Sequence, residues 1–195
     1  MGAYLECDAE SRLGDPALEV KVKQTQDPIL VQTLNWSKAI NETVAKIVKN
    51  VPPFPHVVES LQKLQSVADV MVVSATPGEA LNREWQEHNI AKYVKLIAGQ
   101  EMGTKKEHLR YGAVGKYDLD RILMIGDAPG DMKAAKDNGV LFYPINPGSE
   151  SQSWKRFHDE TLDCFLAGKY RGQYEDKLAK EFMAILPSIP PWARK

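Results

Sequence analysis

The segment RILMIGDAPGD, residues 121–131, decides how this chain is read. After Arg121, the run Ile122, Leu123, Met124 and Ile125 is short and apolar, the kind that makes a strand buried on both faces. Gly126 ends it, and Asp127 falls where the strand's carboxyl end meets a loop. Asp131 follows beyond the tight turn of Ala128, Pro129 and Gly130, and a helical pattern through Met132, Ala135 and Lys136 then begins. Ligands bind at the carboxyl ends of the strands in a parallel α/β sheet. Two carboxylates there, with nothing basic between them, suit a hard cation such as Mg²⁺, which takes oxygen ligands and keeps several waters. The plainer reading is that Asp127 starts a turn and Asp131 caps the helix.

Outward from this segment, helix and strand alternate. On the amino side, residues 104–113 read as a helix whose Thr104 and Glu107 have capping-box spacing. Residues 94–98 form a short strand before Gly99. Thr76 and Pro77 have the form of a cap followed by a first-turn proline, and Leu81 and Trp85 give that helix an inward stripe. Residues 69–73 read as a buried strand ending at Ser74. Val57, Val58, Leu61, Leu64 and Ala68 share one helix face. On the carboxyl side, Asn138 and Gly139 stop the helix, and residues 140–145 form a last strand. This order implies a parallel sheet covered by helices on both faces.

Both ends of the chain change character. Residues 1–52 read as helical, with Asp27 as cap and Pro28 in the first turn. Leu30, Leu34, Ala39, Ile40, Val44, Ile47 and Val48 recur at roughly helical spacing, with room for a break near Asn35, Trp36 and Ser37. The run VPPFP, residues 51–55, removes backbone donors and reads as a hinge, a domain boundary or a plain loop. In residues 149–195, Trp154, Phe157, Leu162, Phe165 and Leu166 suit one helix. Tyr174, Leu178, Phe182 and Leu186 suit another, and residues 187–192 read as extended. Aromatic stripes of this kind are packing surfaces.

The totals exclude several classes. The 195 residues fit one domain or a domain with an accessory piece, and the net charge of −1 leaves no basic stretch for nucleic acid. Cys7 and Cys164 match no metal or redox spacing, so a reduced, cytoplasmic setting is expected. Residues 1–7 are too short for a signal peptide and include Glu6. No apolar run approaches the roughly 20 residues that span a bilayer, so no membrane partner is expected.

Three strand ends carry the chemistry. Ser74 lies beside the helix start at Ala75 and Thr76, where free N–H groups suit a phosphate. Lys105 or Lys106 opens the helix before the central strand, where a cation opposes the helix dipole, and that mild conflict points to function. Read as surface residues, both lysines would simply be solvated. Asp127 and Asp131 complete the set.

In this order the residues resemble the haloacid dehalogenase-like (HAD) superfamily of phosphohydrolases. Val70, Met71, Val72, Val73 and Ser74 match its second motif. Lys105 matches its third, favoured over Lys106 because Leu109 stands four places on. Met124, Ile125, Gly126, Asp127 and Asp131 match its fourth. The resemblance covers about residues 53–147.

It implies a three-layer Rossmann-like α/β core at 53–148, an incomplete helical cap segment at 1–52 and a C-terminal helical extension at 149–195. It further implies a Mg²⁺-dependent phosphomonoester hydrolase acting on a small phosphorylated metabolite. Ser74, Ala75, Thr76 and Lys105 would hold phosphate, Asp127 and Asp131 would hold the metal, and Lys105, Ser74 and Asp127 would serve catalysis.

One motif departs from the family. Its first motif, Asp-x-Asp-x-Thr/Val, supplies the nucleophile from the central strand. Here Asp8 and Glu10 have only its outline after a poor strand, and Asp118 and Asp120 precede their strand. The expectation is a chain without the first strand and nucleophile, through truncation, a late start or lost catalysis. In the family that strand lies between those ending at Ser74 and Asp127. Without it the two neighbours must pair directly, accept another segment or leave backbone groups unpaired, which is costly when buried. Two readings follow: an enzyme of this type, inactive or incomplete as written, or a non-catalytic phosphate- or partner-binding module. Substrate identity and oligomeric state stay open.

Overall fold

The computed structural model describes residues 14–186. Asp8 and Glu10, and the run 187–192, lie outside the described residues. In chain order the helices are α1 (Asp15–Thr25), α2 (Pro28–Ile47), α3 (Val57–Leu64), α4 (Gly78–Glu87), α5 (Lys105–Gly112), α6 (Pro129–Asp137), α7 (Glu150–Arg156), α8 (Leu162–Leu166) and α9 (Gln173–Ile185). The strands are β1 (Met71–Val73), β2 (Leu96–Ala98), β3 (Leu123–Gly126) and β4 (Leu141–Pro144). No helix among the described residues is long and apolar enough to cross a membrane.

Among the described residues two compact units share these elements: one takes residues 14–52 with Val70–Thr104, the other Pro53–Asp69 with residues 105–186. In the first unit, α2 begins where the sequence indicates. The Asp27 carboxylate accepts the Ile29 amide at 2.8 Å, and Pro28 fills a position whose N–H would have no partner. The allowed break at 35–37 does not occur, and the helix runs unbroken through Trp36. Its inward face is narrower than the spacing implies: Leu30 and Leu34 pack with Leu18 and Val22 of α1, while Ile40, Val44 and Ile47 stay exposed. Strand β1 pairs in parallel with β2, Met71 opposite Leu96 and Val73 opposite Ala98. It is half-buried rather than buried, since β2 is the one strand paired with it among the described residues. Helix α4 starts at Gly78 with no side-chain cap, so Thr76 is not the cap its position suggests.

In the second unit β3 pairs in parallel with β4, Leu123 opposite Leu141 and Gly126 opposite Pro144. Residues Leu119–Arg121 form a 3₁₀ turn, so the strand begins later than the apolar run does. Within β3 only Met124 is buried, whereas all four residues of β4 are. The asymmetry follows from what covers β4. Phe142 donates its amide to Glu175 at 2.9 Å, and its carbonyl accepts the Tyr170 hydroxyl at 2.6 Å. Side chains thus satisfy the outer edge of β4, which as a bare edge would invite further pairing. Phe157, Leu162, Phe165, Leu178 and Phe182 complete this core, and the helix from α7 to α8 passes through a π turn at Phe157–Thr161. Each ladder is two-stranded, and no further strand joins either among the described residues.

Candidate active site

At the carboxyl end of β3 the chain turns sharply into α6. Pro129 and Gly130 belong to the first helical turn, which places Asp131 three residues inside the cap position rather than ahead of the helix. Its carboxylate folds back on the turn that precedes it. Oδ2 accepts the amides of Asp127 and Ala128, each at 3.2 Å. The Ala128 amide is a donor that a helix start leaves without an intrahelical partner, and a negative charge there also meets the favourable end of the helix dipole.

Oδ1 of the same carboxylate takes the Lys105 ammonium at 2.5 Å. Lys105 opens α5, and α5 packs on α6, which brings the ammonium within reach. The Asp131 side chain is 2% exposed and that of Lys105 30%. Lys106 goes elsewhere: it pairs with Asp137 at 3.1 Å, a carboxyl held below its usual range by Lys133 first and by Lys106 after it. Of the two lysines only Lys105 faces the end of β3.

Gly126 is required by this packing. A Cβ at that position would lie 2.4 Å from Cβ and Oδ2 of Asp131, closer than atoms approach without displacement. The glycine in the Gly-Asp pair therefore makes room for the second carboxylate.

Asp127 is exposed, and its carboxylate has no hydrogen-bond or ion-pair partner among the described residues. A hard cation could take it directly. Asp131 fits that role less well, because both of its oxygens already accept hydrogen bonds. No group of three or more His, Cys, Asp or Glu side chains that could hold a metal occurs among the described residues. Mg²⁺ needs no such cage, since one or two carboxylates with water and substrate phosphate suffice. One open carboxylate, that of Asp127, is what this strand end offers a hard cation.

Ser74, Ala75 and Thr76 lie in the other unit, after β1. The Ser74 amide continues the ladder to the Ala98 carbonyl at 3.0 Å, and the Ser74 hydroxyl accepts the Thr76 amide at 3.1 Å. The start of α4 already meets an anion: the Glu101 carboxylate accepts the Gly78 amide at 3.0 Å. Gly78 and Gly99 approach so closely that a Cβ on Gly99 would sit 2.5 Å from the Gly78 nitrogen. Glu101 escaped the sequence reading because it stands 23 positions from the amide it serves. His108 escaped it too. It is buried, both ring nitrogens lack a hydrogen-bond partner among the described residues, and burial holds its pKa below the ordinary histidine value against the weaker pull of Glu107.

The family model of haloacid dehalogenase-like hydrolases matches residues 9–145, well over half of the chain. The chain belongs to the haloacid dehalogenase-like hydrolases. That family has a Rossmann-like α/β fold, and the two parallel ladders with their flanking helices are its elements here. HAD-like hydrolases generally use Mg²⁺. Neither a curated protein nor a solved structure matches this HAD-like chain.

Proposed function

We propose that this chain handles phosphate monoesters of small metabolites with Mg²⁺, and that its described residues supply the charge-handling part of that chemistry without a nucleophile. The observation that carries the reading is the buried Asp131, which holds the Lys105 ammonium at the end of β3, the strand end that also carries the open Asp127 carboxylate. A bound Mg²⁺ would supply Lewis-acid neutralisation of phosphoryl oxygens. Asp127 would hold it, and Asp131 would orient Lys105 toward the same oxygens. A preorganised cation in a partly dry site is the kind of group that stabilises a transferring phosphoryl. In the other unit, Ser74, Ala75 and Thr76 carry the hydroxyl and turn amides of the family's second motif.

The same reading assigns residues 53–148 to a three-layer core, 1–52 to a cap segment and 149–195 to a helical extension. A reduced, cytoplasmic setting goes with it, and neither nucleic acid nor membrane is a partner.

Thermal melts of the full chain with Mg²⁺ and orthophosphate test the proposal. Together they should raise Tm by several degrees, since saturating a site at about 100 Kd adds about 2.7 kcal/mol. Asp127→Asn should lose the Mg²⁺-dependent part. No shift with either ion would end the reading. Turnover of p-nitrophenyl phosphate that Asp127→Asn abolishes would show that the chain does carry a nucleophile.

A further inference from the structure

Within the second unit, two histidines far apart in the chain come together. His56 stands just ahead of α3, and His158 lies in the π turn at Phe157–Thr161, on which α3 packs. Their ring centroids are 6.3 Å apart with the planes tilted by 34°, and both residues are partly exposed. The phosphate chemistry at the end of β3 uses neither.

Each ring is carried on a pinned backbone. His56 takes a left-handed φ of 71°, and its carbonyl accepts the Ser60 amide at 3.1 Å and the Ser60 hydroxyl at 2.6 Å. The His158 carbonyl accepts the Lys63 ammonium at 3.1 Å, and Lys63 also pairs with Asp163 at 2.8 Å. Single π turns inside a helix are rare and recur at functional sites.

The His158 ring has an anchor of its own. Its Nδ1 lies 2.7 Å from Oδ1 of Asp159, whose other oxygen pairs with Lys155. An ionised carboxylate only accepts hydrogen bonds, so Nδ1 carries the proton and the neutral ring keeps its lone pair on Nε2. A carboxylate on one ring nitrogen is the support that metal-binding histidines have, and it makes the other nitrogen a more basic ligand.

Two imidazoles that share one ion at about 2.0–2.1 Å per nitrogen hold their centroids about 5–6.5 Å apart. The observed separation lies at the wide end of that span, so a small rotation of the side chains closes the pair on one ion. Imidazole suits Zn²⁺ and its neighbours in the transition row, whereas Mg²⁺ takes oxygen. We infer that His56 and His158 bind one Zn²⁺-type ion through ring nitrogens, with water completing the shell and Asp159 positioning His158. Bound there, the ion fastens α3 to the π turn.

Isothermal titration calorimetry of the full chain with Zn²⁺ alone tests this, with circular dichroism as a check on folding. One Zn²⁺ should bind that excess Mg²⁺ does not displace. His158→Ala and His56→Asn should each weaken it by more than roughly 10-fold, the scale set by losing a supporting partner alone. Asparagine is chosen at position 56 because it tolerates left-handed backbone. The double variant should lose little more than either single one, since one ion needs both rings. Asp159→Ala should weaken binding about 10-fold, and Asp159→Asn, which still accepts from Nδ1, should recover part of it. Asp127→Asn should leave this binding as it is, which separates the inference from the reading of the β3 end. If His56→Asn does not fold, His158→Ala decides alone. A chain that takes up no Zn²⁺ overturns the inference, as does binding indifferent to His158→Ala or abolished by Asp127→Asn. Asp159→Ala without effect overturns the positioning role.

Discussion

The two strand pairs of this molecule are built alike and buried differently. Each is a two-stranded parallel ladder with a helix starting beyond one strand end. Yet β4 is buried at all four positions, whereas β1 is half-buried throughout and β2 buries only Ala98. Beside β4 stand Tyr170, Leu178 and Phe182, each nearly inaccessible, and the edge of the strand is closed by Tyr170 and Glu175. The cluster between α1 and α2 consists of Leu18, Leu30 and Leu34, with Val22 against it. A ladder with one partner strand needs side chains from elsewhere to dry its other surfaces, and among the described residues only the β3–β4 ladder has an aromatic tail to do so. The lysine–carboxylate pair sits in that better-packed unit, where a supporting shell can hold a charged group in place.

The largest expected difference between the units lies in their cores. Phe182→Ala removes a fully buried ring and should cost about 3–5 kcal/mol in urea unfolding. Leu34→Ala, in the smaller cluster, should cost about 2 kcal/mol, at the low end for a buried leucine. The comparison breaks if Leu34→Ala costs as much as Phe182→Ala, and it sharpens if Leu34→Ala loosens only α1 and α2 in hydrogen exchange.

The smallest effect is a pH dependence. The pKa of His108 is lowered in the folded state, so below the ordinary histidine value near 6.5 the unfolded chain binds a proton that the folded chain resists. Stability therefore falls as pH drops through about 6.5 and levels off below the folded-state value. His108→Leu should flatten that part of the profile. It should also raise stability at pH 7 by about 1 kcal/mol, since two unpartnered buried nitrogens disappear. A variant whose profile between pH 5 and 7 matches the wild type would refute the account.

Much of the layout was legible because it rests on local rules. Pro28 after Asp27 starts α2, Asn138 and Gly139 stop α6, and the apolar runs around Val72, Ile97, Met124 and Phe142 mark all four strands. Thr76 misled because Pro77, rather than Thr76, takes the cap position of α4, and the Thr76 amide turns back to Ser74. The run 35–37 misled because asparagine and serine lower helix propensity only weakly, and the rest of a 20-residue helix carries them.

Sequence alone was enough to determine the family, the order of helices and strands, and the placing of Lys105 at a helix start and Asp127 at a strand end. Spacing along the chain encodes all of these. Tertiary structure decided that Lys105 rather than Lys106 meets Asp131 across 26 residues, and that Gly126 leaves the space for it. It also decided that half of the apolar stripe on α2 faces water. Which side chains meet depends on how elements pack, and no local periodicity records that.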